Sequence, residues 1–202
     1  MKLYYSPAAC SLSPHIVARE AGIPIDLEKV NLADHKTETG QDYMTVNPKG
    51  YVPALRFDDG SILTEGPAIV QYLADQKPAS GLAPTAGTIE RYRLQEWLTF
   101  IGTELHKSVG SLFNKAMSDE VKETTKTAIA KRLAYLNDQL ANKQYLMGGT
   151  FTVADAYAFT VVNWTNFLGI DIKGYPNLVA YMGRVGGRPK VQEALKAEGL
   201  AK

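Results

Sequence analysis

Cysteine is nearly missing: the 202 residues hold one, Cys10, so no internal disulfide can brace the fold and no second thiol can resolve a disulfide within the chain. An excess of charge is missing as well. Lys and Arg number 22 against 21 Asp and Glu, a net +1, which leaves no basic field to hold nucleic acid or an anionic membrane. Long apolar runs are absent too. The most hydrophobic stretch, Val153 to Val162, carries Asp155 and is too short to span a bilayer. Met1 to Pro7 lack the apolar run of a signal peptide, and a cytoplasmic location is expected. The partner these absences leave is a small molecule or another protein, and no metal is expected.

What the chain does have is ordinary globular matter. Hydrophobic residues make up 45% and charged ones 21%, enough to bury a core in one large domain or two small ones. In the first third, short β-like runs alternate with helical ones. Leu3–Tyr5, Ile25–Val30, Ala54–Phe57 and Ser61–Leu63 read as strands, and Pro14–Ala21, stopped by Gly22, and Pro67–Asp75 as helices. Asn47-Pro48-Lys49-Gly50 and Asp58-Asp59-Gly60 read as turns. The order is βαβ, then ββα.

Pro78, Gly81, Pro84 and Gly87 mark a linker over residues 78–87. Beyond it the strand signals stop. Leu94, Leu98, Ile101, Leu105, Val109 and Leu112 recur at three and four, as do Ile129, Leu133, Leu136 and Leu140. Ala154–Phe167 is apolar on most sides, the pattern of a helix inside a bundle, and Thr152 with Asp155 forms a capping-box spacing behind Phe151. Pro176 and Pro189 stand where two last helices begin. The expected fold is therefore α/β plus all-α: an α/β domain over 1–77, the linker, and a helical domain over 88–202.

Cys10 follows the first strand by five residues and precedes a helix, the place where a helix dipole and unpaired N–H groups favour thiolate over thiol. An unperturbed thiol with a pKa near ~8.5 is only about 3% thiolate at pH 7. Val52-Pro53 sits at the mouth of a strand, where a proline sets a turn and leaves the carbonyl and amide of Val52 to pair with a peptide-like ligand. Glu65 and Gly66 stand at the start of a helix. A carboxylate beside exposed N–H groups suits the ammonium and carboxylate of an α-amino acid head, and it equally suits a helix cap. Thr99, Thr103, His106 and Gly110 form a narrow polar and small stripe at helical spacing, and His106-Lys107 offers a donor and a positive charge to a sulfur anion, or is an ordinary surface pair. The tyrosines carry no pattern beyond packing, and Asp155 is assigned to capping.

Taken in order, Cys10, Asn47-Pro48-Lys49-Gly50, Val52-Pro53-Ala54-Leu55, Leu63-Thr64-Glu65-Gly66-Pro67-Ala68-Ile69, Glu104-Leu105-His106-Lys107 and Phe151 to Tyr157 resemble a cytosolic glutathione S-transferase of the bacterial beta class over nearly the whole chain. The resemblance implies a thioredoxin-like N-terminal domain, a helical C-terminal domain, a homodimer, and glutathione as co-substrate. It implies that Val52 pairs with the cysteinyl part of glutathione beside cis-Pro53, that Glu65 and Gly66 hold the γ-glutamyl head, and that Cys10 and His106 face the sulfur. It implies that Thr99 and Thr103 reach into the site from the neighbouring subunit or line it, and that Phe113 and Trp164 wall a pocket between domains for a hydrophobic electrophile. Two positions depart from that pattern. His35 stands where the class commonly has Lys opposite the glycine carboxylate, with Lys36 as the neighbouring substitute, and Thr99 stands where it has Asn. The implied reaction is conjugation of the glutathione thiolate, with thiol-disulfide exchange or dehalogenation through Cys10 as a second route. A non-catalytic glutathione-binding or docking protein of the same fold and a glutaredoxin-like thiol transferase are the alternatives.

Overall fold

The structure, a computed structural model, describes residues 1–201 and divides into two compact units, Met1–Ala83 together with the chain from Arg188 onward, and Pro84–Gly187. The first unit holds the strands β1 (Lys2–Tyr5), β2 (Asp26–Asn31), β3 (Lys36–Thr37), β4 (Ala54–Arg56) and β5 (Ile62–Thr64), in the order β3-β2-β1-β4-β5. β1 runs parallel to β2, whereas β1–β4, β4–β5 and β2–β3 pair antiparallel. Tyr4 lies opposite Ala54 and Leu3 opposite Leu55. Because successive side chains alternate faces, Tyr4, Val30 and Ala54 share one side, where they close a buried cluster with Tyr43 and Val52. Leu3 and Leu55 are equally buried on the other.

Two helices follow from the local sequence. In α1 (Leu12–Ala21) the side chains of Leu12, Ile16 and Val17 are buried, and Gly22 ends the helix in the left-handed conformation, φ 65°. α2 (Gly66–Gln76) starts with Pro67 in its first turn and packs against α1. The strand β3 and a 3₁₀ turn at Tyr43–Thr45 are too short to leave a periodic signature in the sequence.

The second unit is all helical: α3 (Ile89–Phe100), α4 (Lys107–Ser111), α5 (Asp119–Gln139), α6 (Val153–Leu168) and α7 (Pro176–Gly186). Thr88 caps α3 by accepting from the Arg91 amide at 3.3 Å, and Ser118 caps α5 by accepting from Val121 at 3.4 Å. The apolar rows read from spacing are buried at Leu94, Leu98, Ile101, Leu105 and Val109, and again at Ile129, Leu133, Leu136 and Leu140. α6 is buried along most of its length. At its start the Asp155 carboxylate accepts from the amides of Thr152 and Leu146, at 2.8 and 2.9 Å, and from the hydroxyls of Thr152 and Tyr181. Burial outweighs these bonds and lifts the Asp155 pKa to about 6.

A helical domain running to the end of the chain is not what the structure contains. The last helix, α8 (Pro189–Ala197), packs on α1 and belongs to the first unit. Two interactions put it there. Arg188 forms a forked ion pair with Glu20, 2.7 and 2.8 Å, and Glu198 meets His15 at 2.9 Å with both side chains fully buried. Hydrophobic periodicity marks a helix but not its neighbour, so sequence spacing carried no sign of this return.

Candidate active site

The Val52–Pro53 peptide bond is cis, and it lies at the entrance of β4. Val52 is buried, and its carbonyl accepts a hydrogen bond from the Cys10 thiol, Sγ to O 3.1 Å. Among the described residues the Val52 amide donates to no protein group. The strand mouth therefore offers one free donor beside a sulfur. Cys10 lies two residues before the start of α1, and its own carbonyl accepts from the Ser13 hydroxyl at 2.8 Å and the Ser13 amide at 3.2 Å. The thiol proton is thus directed at the Val52 carbonyl.

The segment before Val52 is held from inside. Asn47 to Gly50 form the expected turn, with the Gly50 amide on the Asn47 carbonyl at 2.8 Å and the Lys49 amide on the Asn47 side chain at 3.2 Å. The hydroxyl of Tyr43 and the amide group of Asn47 both donate to the Tyr51 carbonyl, at 2.8 and 2.7 Å. Burial pushes the Tyr43 phenol up to about 12, so it stays a donor across the ordinary pH range.

Glu65 stands at the first position of the α2 boundary with φ 71° and ψ 113°, and its side chain does not cap the helix. The cap reading is thereby corrected. A non-glycine residue at positive φ costs of order 1 to 3 kcal/mol and collects at binding sites, where the rest of the structure holds it. The Glu65 carboxylate instead receives Lys49 Nζ at 2.6 Å, and Lys49 also reaches the Thr64 hydroxyl at 3.1 Å. Gly66 follows directly and is buried at the helix N-terminus.

His35 also adopts positive φ, 53°, and its Nδ1 is buried with no hydrogen-bond partner among the described residues. The ring lies on Gly50: a Cβ there would fall 2.9 Å from His35 Cε1 and 3.2 Å from Nδ1, at a residue whose own φ of +71° already favours glycine. Lys36 next to it is exposed on β3.

On the helical unit the expected stripe is altered by backbone geometry. Residues Ile101–His106 form a π-helical turn between α3 and α4, so one extra residue enters the winding and the α-helical spacing of Thr99, Thr103, His106 and Gly110 does not carry through. Thr99 and Thr103 are exposed, and the Thr103 hydroxyl donates to the Thr99 carbonyl at 2.9 Å. His106 is half-buried and packs edge-on against Trp164, ring centroids 4.9 Å apart, and against Tyr157 at 5.7 Å. Its Nδ1 shares a hydrogen bond with the Tyr157 hydroxyl. Phe113, 49% exposed, meets the buried Trp164 edge-to-face at 5.9 Å. His106, Phe113 and Trp164 thus form one aromatic group. Tyr157 was missed as a partner of His106, and Tyr43 and Lys49 as partners of the Val52 segment and Glu65. Tyr157 and Lys49 each had a signal, as parts of the Phe151 to Tyr157 and Asn47 to Gly50 motifs, whereas Tyr43 had none.

Among the described residues no cluster of His, Cys, Asp and Glu could hold a metal ion, and no helix is long and apolar enough to cross a membrane. Residues 8–76 match the glutathione S-transferase N-terminal domain, and residues 100–189 the glutathione S-transferase C-terminal domain. The chain is 46% identical to glutathione S-transferase GstA of Escherichia coli O157:H7, over 99% of this chain and all of that one. It is 51% identical to a sphingomonad glutathione S-transferase solved with glutathione, TM-score 0.96, and 52% identical to a bacterial beta class glutathione S-transferase from Sphingomonas chungbukensis, TM-score 0.96. Each of these two comparisons covers both chains in full. The chain belongs to the glutathione S-transferase family, in its bacterial beta class.

Proposed function

We propose that the chain is a cytoplasmic, homodimeric glutathione transferase that joins the sulfur of glutathione to a small hydrophobic electrophile. The observation that carries this reading is the free Val52 amide beside the Cys10 thiol at the cis Val52–Pro53 bond. An extended peptide-like ligand needs a backbone donor at that edge and a polar partner for its sulfur, and both are present. Glutathione lays its cysteinyl residue along Val52 and its γ-glutamyl head at α2. There Glu65 takes the ammonium and Gly66, at the positive end of the helix, the carboxylate. His35 or Lys36 meets the glycine carboxylate.

The chemistry is thiolate stabilisation. Lowering the pKa of the bound thiol by about two units raises its ionised fraction more than tenfold at pH 7, at some loss of intrinsic nucleophilicity. The Cys10 thiol turns its proton from the Val52 carbonyl to the sulfur anion. His106, whose ring meets the Tyr157 hydroxyl, and Thr99 and Thr103 are the further polar partners that the resemblance implies for this sulfur. The sulfur lone pair then forms a bond to the electrophilic carbon while the leaving group departs with its electron pair, and the thiol proton goes to solvent. Phe113 and Trp164 receive the apolar body of the acceptor.

Thiol-disulfide exchange through Cys10 is a second reading, favoured by the thiol at the strand mouth. Aryl-halide conjugation and mixed-disulfide reduction, measured side by side, separate the two and separate both from a non-catalytic binder. Sedimentation at twice the 22.1 kDa chain mass supports the homodimer, and a fully active monomer contradicts it.

A further inference from the structure

A peptide group is planar, so fixing its oxygen fixes its hydrogen. In the trans peptide between Tyr51 and Val52 the carbonyl and the N–H point to opposite sides of the chain. The carbonyl side faces inward and is saturated: the Tyr43 hydroxyl and the Asn47 amide group each give one hydrogen bond, at 2.8 and 2.7 Å, to an oxygen with two lone pairs. Neither donor is at the surface, since Tyr43 is wholly buried and Asn47 is 3% exposed. By contrast the Tyr51 ring is 72% exposed and does nothing to anchor its own backbone. On the other side of the plane the Val52 amide has no protein acceptor among the described residues.

From this arrangement we infer that Tyr43 and Asn47 are positioning residues for glutathione: by clamping the Tyr51 carbonyl they aim the Val52 N–H at the cysteinyl carbonyl of the ligand. The inference rests on the reading of Val52 as a glutathione-binding backbone. Both clamps are themselves held. The Tyr43 amide donates to the His35 carbonyl at 2.7 Å, and the Asn47 amide to the Tyr43 carbonyl at 2.9 Å. The 3₁₀ turn at Tyr43–Thr45, capped by Asp42 on the Met44 amide at 2.9 Å, therefore sets where both donors stand. An unclamped peptide plane could rock about its flanking dihedrals, and the ligand would have to order it on binding.

The test uses Tyr43→Phe, which removes one oxygen, and Asn47→Asp, which keeps the acceptor for the Lys49 amide and replaces the donor with a carboxylate oxygen that the Tyr51 carbonyl repels. Each is first checked for cooperative unfolding, and either one that folds is sufficient for the test. Glutathione affinity is read by calorimetry and hydrogen exchange of the Val52 amide by nuclear magnetic resonance, with and without glutathione. The expected result is a dissociation constant about fivefold higher, with kcat at saturating glutathione little changed and weaker protection of the Val52 amide in the complex. Wild-type affinity and protection in the variants would overturn the clamp, leaving Tyr43 and Asn47 with a structural role that lowers stability alone. If glutathione fails to protect the Val52 amide in the unaltered protein, the reading of Val52 itself falls and the clamp with it.

Discussion

The imidazole of His15 and the carboxylate of Glu198 lie 2.9 Å apart, and no part of either side chain reaches solvent. The other Glu198 oxygen accepts from the amide of Ala8 at 3.1 Å, two residues before Cys10 and itself at φ 63°. The end of the chain therefore secures the loop that carries the thiol. Removing one member of a buried pair strands the other without its partner, which typically costs ~3 kcal/mol or more. Glu198→Ala is expected to lose about that much in urea unfolding, together with faster hydrogen exchange of the Ala8 amide. A loss under about 0.5 kcal/mol would show that α8 docks by apolar contact alone.

Asp155 supplies a stability signal with a defined sign. Its pKa is raised by burial to about 6, so between the ordinary carboxylate value near 4 and pH 6 the folded state binds more protons than the unfolded one. The contribution of Asp155 to stability is full below about pH 4 and falls as pH rises through 6, by roughly 3 kcal/mol. Asp155→Asn cannot titrate and leaves donors unpaired. Its deficit relative to the unaltered protein should be larger at pH 4 than at pH 7 in urea unfolding. A deficit that grows toward pH 7 would contradict the raised value.

Much of this architecture was legible in the sequence because it follows from periodicity and punctuation. The alternation around Leu3 and Leu55, the stop at Gly22, the linker prolines and the buried rows at Leu94 to Val109 and Ile129 to Leu140 are local patterns with one physical reading. What was not legible depends on the partner rather than on the residue. Nothing in the spacing of Glu198 announces His15. The π-helical turn at Ile101–His106 leaves no mark in an apolar row that tolerates one extra residue, and it altered the stripe built on Thr99 and His106. The Val52–Pro53 mouth was recognisable from its proline and its turn, but its clamp by Tyr43 was hidden, because a buried tyrosine that bonds a carbonyl and one that only packs look the same in sequence.

Lys49 occupies the carboxylate that the ligand ammonium would take, with Nζ 2.6 Å from Glu65 Oε1 and both side chains at least half exposed. An exposed pair contributes only ~0.2 to 1 kcal/mol, so displacing it is a modest tax on binding. Lys49→Met should tighten glutathione binding about two- to fivefold by calorimetry and leave unchanged the binding of an analogue without the α-amino group. Weaker binding of glutathione would instead make Lys49 a ligand for the γ-glutamyl carboxylate.

Cys10→Ala separates the two chemistries of the site. Where the nucleophile belongs to glutathione, losing one hydrogen bond to its sulfur lowers aryl-halide conjugation by about tenfold at most, whereas the mixed disulfide between protein and glutathione disappears altogether by mass spectrometry. Complete loss of conjugation would make Cys10 the nucleophile.

Ionising the thiol of glutathione is the task on which the proposed chemistry turns, and its direct measurement is the ultraviolet absorbance of the thiolate as a function of pH. Glutathione is bound at saturation to the protein, and the spectrum of the protein alone is subtracted at each pH. The expected midpoint lies at least about one pH unit below the ~8.5 of an unperturbed thiol, so that bound glutathione is substantially ionised near neutrality. A midpoint at ~8.5 or above, with glutathione demonstrably bound, would contradict thiolate stabilisation by this site.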